Sequence, residues 1–297
     1  MILELTVVNL GWSFTIGLPF LQVIWAIGAS MILLAGLVAL RLSARVILAL
    51  GVLIVAGHNA LAPVDAALDT PLWNLLHEPG LVAQVPGVEG GFGGGVIIGA
   101  YPLLPWFGVM LCGYGLAWMW VEPEGRRDRL FMLLGLGMIA AFLVLRGLNL
   151  YGDPGPWAVL GETWQTIGAF LSVQKYPPSL LYVLATLGPM LALVPLWSRL
   201  KGPLAELFLT YGRVPLFAYV LHIFIAHAIM MAVGVALGRE ASEFQAFLGD
   251  EQALQGWGFP LWVVYAVWIT VLVILYPLCR WFGALKRRRT DWWLSYL

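Results

Sequence analysis

Seven apolar runs, each about as long as a membrane-crossing helix, govern what this chain can become. They cover residues 19–40, 44–62, 96–121, 130–149, 178–197, 214–237 and 259–281. A crossing helix needs about 20 predominantly apolar residues. The composition agrees: 61% of the 297 residues are hydrophobic and 11% are charged, where a soluble domain carries roughly 25% charged residues. The sequence predicts an all-α fold, a polytopic transmembrane helix bundle with seven full membrane helices and a truncated N-terminal one, in a single domain over 1–297. Fifteen tryptophans suit a chain with many membrane–water boundaries. The net charge of zero gives nucleic-acid binding no electrostatic support.

Arginine and lysine set the orientation. Arg41 and Arg45 lie between the first two runs, and Arg126, Arg127 and Arg129 between the third and fourth. Arg199, Lys201 and Arg213 lie between the fifth and sixth. Arg280, Lys286, Arg287, Arg288 and Arg289 end or follow the seventh. In a strictly alternating path all of these fall on one side. The opposite loops, 63–95, 150–177 and 238–258, hold only Lys175 and Arg239. The asymmetry predicts a cytoplasmic C-terminus in a bacterial inner membrane, with the 63–95 and 150–177 loops outside. The same path gives residues 1–14 only about 21 Å of helix, too short for a core of about 30 Å. The expectation is that membrane helices preceding Met1 are missing from this chain. No secretory signal is visible, since Glu4 stands where a basic start is expected.

Short helices are expected at 71–77 and 162–173 in the outer loops, and at 203–211 on the inner side. The glycine-rich stretch 87–95 reads as a flexible connector or lid. Cys112 and Cys279 sit within apolar runs and read as buried thiols, with no spacing for a disulfide framework or a metal pair.

Polar residues concentrate between 146 and 189. Arginine inside a membrane is costly and needs a partner: a carboxylate, backbone carbonyls or an anionic ligand. Asn149 shares the face of Arg146 at i, i+3, and Asp153 is the nearest carboxylate. Arg146, Asn149, Asp153, Lys175 and Tyr176 are candidate substrate-binding residues. The competing readings are a pair between Arg146 and Asp153 closing the helix end, and interfacial anchoring by Lys175 and Tyr176. His222 and His227 are five apart on one helix and do not share a face, which argues against a two-histidine metal site. Tyr219 and His222, at i, i+3, do share one, so Tyr219 joins the substrate-binding candidates and His222 the catalytic ones. His58, at the outer end of its helix, is the second catalytic candidate. His77 reads as an exposed loop residue. No metal-ligand cluster, P-loop or nucleophile motif is present, and no metal is expected.

Several segments together carry a resemblance: LELTVVNLGWSF (3–14), LQVIWAIGASMILLAGL (21–37), YPLLPWFGVMLCGYG (101–115), RGLNLYGDPGPW (146–157), QKYPPSLLYVLATLGP (174–189) and LTYGRVPLFAYVLHIFIAH (209–227). Over nearly its whole length the chain resembles bacterial membrane proteins related to the catalytic domain of heparan-α-glucosaminide N-acetyltransferase. The resemblance implies a transmembrane acyltransferase. Acetyl-CoA would enter from the cytoplasm as co-substrate, and the acyl group would reach an amino-sugar or envelope-glycan acceptor at the outer face. Arg126, Arg127 and Arg129 would form a basic mouth for the phosphates of the carrier. The early Asp-x-x-Arg-Gly-type segment of relatives, and the histidine credited with acyl transfer, have no match here. No catalytic histidine is carried over, and the chain as written is expected to lack turnover. Two readings of other classes stay open: a transporter or exporter of a polar envelope precursor, and a non-catalytic scaffold. Membrane lipid is the certain partner, and self-association is left open.

Overall fold

In the computed structural model, residues 3–14, 20–84, 96–246, 256–291 and 294 are described. In chain order the helices begin with α1 (Asn9–Ser13), α2 (Val23–Ala39), α3 (Ala44–Gly57), α4 (Pro71–Leu76), α5 (Leu103–Gly115) and α6 (Glu124–Leu148). They continue with α7 (Thr163–Leu171), α8 (Leu180–Ala192), α9 (Val194–Ser198), α10 (Pro203–Gly212), α11 (Pro215–Ala236), α12 (Ala241–Ala246) and α13 (Leu261–Arg288). Three short strands, β1 (Phe20–Leu21), β2 (Gly80–Gln84) and β3 (Val96–Gly99), form one small sheet in the order β1-β3-β2, with β1 parallel to β3.

Among the described residues six helical stretches are long and apolar enough to cross a membrane: Ala44–Asp65, Leu103–Val121, Glu124–Leu148, Leu180–Arg199, Pro215–Ala236 and Leu261–Arg288. This is the architecture of a multi-pass membrane protein. The run expected at 19–40 folds as α2, an apolar helix of 17 residues. The run expected at 96–121 begins as strand β3, and its helix starts only at Leu103. Pro102 disfavours helical geometry for Tyr101 and so delays the start. Conversely, α6 and α13 outrun their apolar cores. Glu124 in the first turn of α6 and Lys286, Arg287 and Arg288 in the last turn of α13 complement the helix dipole. The outer-loop expectations at 71–77 and 162–173 are met by α4 and α7, and the inner one by α10. The stretch 87–95 lies outside the described residues.

The chain divides into two compact units. The first comprises Phe20–Ala83 and Ile97–Arg199. Its helices approach through glycine. A Cβ on Gly51 of α3 would lie 2.7 Å from the Cys112 nitrogen and 2.8 Å from the Gly108 oxygen of α5. A Cβ on Gly188 of α8 would meet the Ile139 nitrogen of α6 at 3.2 Å. Small residues that let backbones close up are how membrane helices gain dispersion contacts without a hydrophobic driving force. The small sheet and α4 pack with Leu21, Trp25 and Leu103 at one end of this unit.

Arg126 and Arg146 stand at opposite ends of α6, 20 residues and so roughly 30 Å apart. One end of the first unit therefore carries arginines. Among them Arg127 and Arg199 face the buried Asp128 at 2.8 and 3.6 Å. The other end carries the loops between α3 and α5 and between α6 and α8.

The second unit comprises the described residues of Ile2–Pro19, Gln84–Val96 and Leu200–Leu297. Its core is apolar side chains of α11 and α13, with Val214, Val271, Leu275, Cys279 and Phe282 buried together. The Phe217 and Phe282 rings stack at 4.2 Å.

Candidate functional site

The expected concentration of polar groups around Arg146 forms, and it is a closed knot. The Arg146 side chain is 2% exposed. Its Nε donates to the Phe170 carbonyl at 3.0 Å, and Nη1 to the Gly155 carbonyl at 2.7 Å. Nη2 donates to the Ala169 and Ser172 carbonyls at 3.0 and 2.6 Å. The Asp153 carboxylate lies 3.7 Å from Nη1. Four of the five N–H donors of the guanidinium thus meet carbonyls, and the Asp153 carboxylate stands beside Nη1 as an ion pair. Three of the carbonyls belong to the C-terminal end of α7, where helices leave acceptors unsatisfied. Arg146 therefore caps α7 from below, and the anticipated pairing with Asp153 and with carbonyls is present.

Asp153 is as fully engaged. It accepts from the Gly155 and Gln174 backbone N–H groups at 3.0 and 2.8 Å, and from the Ser179 hydroxyl at 2.8 Å. Ser179 also caps α8 by accepting from the Tyr182 N–H. Asn149 ends α6 in the left-handed region, at φ 55°, which asparagine tolerates. Its amide holds both the N–H and the carbonyl of Trp157. The Trp157 indole returns a hydrogen bond to the Arg146 carbonyl at 2.7 Å.

Lys175 and Tyr176 are exposed beside this knot. The Lys175 ammonium sits 4.9 Å from the centroid of the Tyr176 ring, and the Tyr176 hydroxyl is 3.1 Å from that of Tyr101. Trp106 packs against both Tyr101 and Tyr182, extending the group into an aromatic platform. Burial pushes the Tyr176 phenol up, but hydrogen bonds with Lys175 and Tyr101 outweigh it and leave the phenol below its usual range. The hydrogen bond with Tyr176 raises Lys175 in turn.

His58 is 3% exposed, and the reading of His77 as an exposed loop residue is corrected, since it is 1% exposed. The loop after α3 continues as a 3-10 turn to Ala67, and α4 folds back on it, carrying His77 at its end. His77 Nδ1 meets the Asp65 carboxylate at 2.7 Å, and Nε2–H donates to the His58 carbonyl at 3.0 Å. The His58 ring lies edge-on to that of His77, with Nδ1 3.4 Å from Nε2. The Trp73 indole donates to the same Asp65 oxygen at 2.9 Å. Burial, then the Asp65 carboxylate, push the Glu78 carboxyl above its usual range, against the pull of His77. The sequence reading singled out only His58 here. The signal it passed over is five ligand-type side chains, His58, Asp65, Asp69, His77 and Glu78, within 21 positions.

In the second unit, His222 Nδ1–H donates to the Tyr219 carbonyl of its own helix. That bond puts the hydrogen on Nδ1 and the lone pair on Nε2, the tautomer a general base needs. The Tyr219 ring sits 5.4 Å from that of His222. His227 donates to the Gly11 carbonyl at 3.1 Å and tilts against Phe14, so it ties α11 to α1.

Of the three arginines expected at a basic mouth, Arg126 and Arg127 pair with Glu122 and Asp128. Arg129 is exposed with no carboxylate partner among the described residues. The second unit holds a cavity of about 320 Å³ lined by Arg213, Arg280, Arg287, Glu206, Thr210 and Tyr276 among others. Arg213 pairs with Glu206 at 3.6 Å. Among the described residues Arg280 and Arg287 have no carboxylate partner.

Comparison with protein-family models, with curated proteins and with solved structures finds no match to this chain.

Proposed function

We propose that this protein is an integral membrane acyltransferase of the bacterial cytoplasmic membrane, taking an acyl group from acyl-CoA to an amine or hydroxyl of an amino-sugar or envelope-glycan acceptor. The observation that carries the reading is the open group of Lys175, Tyr176 and Tyr101, set beside the closed Arg146 knot. The knot holds the 153–179 loop rigid, and the platform it presents has aromatic faces for a sugar ring and hydrogen-bonding groups at their edge. The ammonium neighbour favours the phenolate of Tyr176, the form that accepts the proton released on attack. In the reaction the acceptor nitrogen or oxygen bonds to the thioester carbonyl, the C–S bond breaks, and the acceptor proton passes to the base and on to the leaving thiolate.

Sidedness supports the same reading. The arginine distribution favours an orientation with the 63–95 and 150–177 loops outside, on the side of an envelope acceptor, and the C-terminus in the cytoplasm, on the side of acyl-CoA. On that cytoplasmic side Arg280 and Arg287 are better placed for carrier phosphates than the paired Arg126 and Arg127.

The test combines acceptor binding, followed by saturation-transfer NMR, with transfer of radiolabel from acetyl-CoA in proteoliposomes. Wild type should bind glucosamine-type acceptors, and Tyr176→Phe or Lys175→Ala should weaken binding about tenfold, the cost of one charge-assisted hydrogen bond. Failure to bind either acetyl-CoA or an amino sugar would remove the reading. The transporter reading draws on the break between α8 and α9 at Leu193, because discontinuous membrane helices build transport sites. Uptake of an amino sugar into protein-bearing liposomes without acetyl-CoA consumption would favour it.

A further inference from the structure

We propose that Asp65, His77 and Glu78 form a binding site for one divalent cation, zinc or another first-row ion that accepts imidazole and carboxylate ligands together. The position of the hydrogen on His77 is decisive. Its Nε2 lies 3.0 Å from the His58 carbonyl oxygen, which can only accept, so Nε2 carries a hydrogen. Nδ1 then points its remaining valence at Asp65 Oδ1, 2.7 Å away. That oxygen is itself an acceptor, already engaged by the Trp73 indole at 2.9 Å. Nδ1 and Oδ1 this close share a cation, which is either a proton, making His77 an imidazolium paired with Asp65, or a metal ion in its place. The Glu78 carboxylate converges on the same place, and the ligand atoms of all three residues lie within 4.8 Å of one another.

The cluster can be neutralised in two ways, by two added protons or by one divalent ion. No lysine or arginine pairs with Asp65 or Glu78 among the described residues, so the protein supplies no permanent cation. The surroundings match those of a metal centre. A ligating histidine usually donates its other N–H to a carbonyl or carboxylate, and a ligating carboxylate is usually held by a further donor. The His58 carbonyl and the Trp73 indole do those two things. The spacing also fits: a tetrahedral shell with bonds of about 2.1 Å puts ligand atoms about 3.4 Å apart, between the 2.7 Å of the closest pair and the 4.8 Å limit of the set. Three protein ligands would leave one coordination position open, as catalytic zinc sites do. The sequence analysis expected no metal because these ligands follow no familiar spacing. The loop after α3 and the end of α4 bring them together.

The full chain, purified in detergent and stripped with a chelator, is titrated with Co²⁺ as a spectroscopic stand-in for zinc. One Co²⁺ per chain should bind, with visible bands of a low-coordinate nitrogen–oxygen site, and Zn²⁺ should displace it. His77→Gln should abolish binding. Glu78→Gln, at a half-buried position where folding is preserved, should weaken it tenfold or more, and Trp73→Phe about tenfold through loss of the outer hydrogen bond. Zn²⁺ should raise the melting temperature of wild type and leave that of Glu78→Gln unmoved. Cys112→Ser and Cys279→Ser should bind as wild type. Absence of stoichiometric Co²⁺ at millimolar concentration, or binding indifferent to both Glu78→Gln and His77→Gln, would overturn the proposal and leave the cluster held by protons.

Discussion

Two polar groupings sit at the same end of the first unit, and they solve the problem of buried charge in opposite ways. Around Arg146 four carbonyls and one carboxylate converge on a single guanidinium, and Asp153 receives donors from three further groups. Around His77 two carboxylates and an imidazole converge, and among the described residues no lysine or arginine pairs with them, so the group depends on added protons or an ion. The difference separates architecture from chemistry. A fully satisfied network gives rigidity and has nothing left to offer a ligand. An under-satisfied one stays costly until something binds, and so it marks where a ligand is wanted. Arg146, which the sequence singled out first, belongs to the first kind. His77, which it passed over, belongs to the second.

The comparison can be broken most severely at Arg146. Arg146→Ala should cost about 3–5 kcal/mol, because it leaves the buried Asp153 carboxylate without its cation and four carbonyls without their donor. Loss of the monodisperse species on size exclusion, or a collapse of the thermal transition, would register this. Arg146→Lys should restore little of it, since three donors cannot serve five partners. A milder break is Asn149→Ala. It removes both hydrogen bonds to Trp157 at an exposed position and an asparagine from a left-handed residue, for about 1 kcal/mol. Denaturant unfolding in detergent would measure that loss, and a loss as large as that of Arg146→Ala would deny Arg146 its central place.

The second grouping should respond in the opposite sense. In metal-free protein Glu78→Gln should be neutral or stabilising by up to about 0.5 kcal/mol. An amide can donate permanently to Asp65, where the Glu78 carboxyl donates only while protonated and repels it once ionised. A clear destabilisation in the same unfolding assay would show that Glu78 is already satisfied as it stands.

The smallest expected effect concerns Tyr176, which should titrate below ordinary tyrosines. The Lys175 ammonium favours the phenolate, so Lys175→Ala should move that titration back up in pH. Ring-labelled tyrosine NMR, assigned by comparison with Tyr176→Phe, reads the shift directly. A Tyr176 titration unmoved by Lys175→Ala would assign the lowering to Tyr101 alone.

Much of the frame was legible from local pattern. Long apolar runs have few outcomes other than crossing helices, so α3, α5, α6, α8, α11 and α13 appear where the runs lie. The helix ends were less legible, because charged residues that favour the helix dipole extend α6 and α13 past their apolar cores. The pairing of Arg146 with Asp153 was readable because the two are seven positions apart across a helix end. The carbonyls of 169–172 were not, since backbone acceptors leave no mark in a sequence. The partnership of Tyr101 with Tyr176 joins residues 75 apart, beyond any periodicity.

The sequence by itself determined that this protein is a bundle of apolar helices and that its few interior charges must find partners. Both follow from the cost of exposing polar groups to hydrocarbon, which acts on each stretch alone. Only the tertiary structure decided which charges are spent on one another and which are left over. That choice depends on distances between loops. The return of α4 onto the end of α3 places His77 against Asp65 and the His58 carbonyl, and no local rule specifies that return.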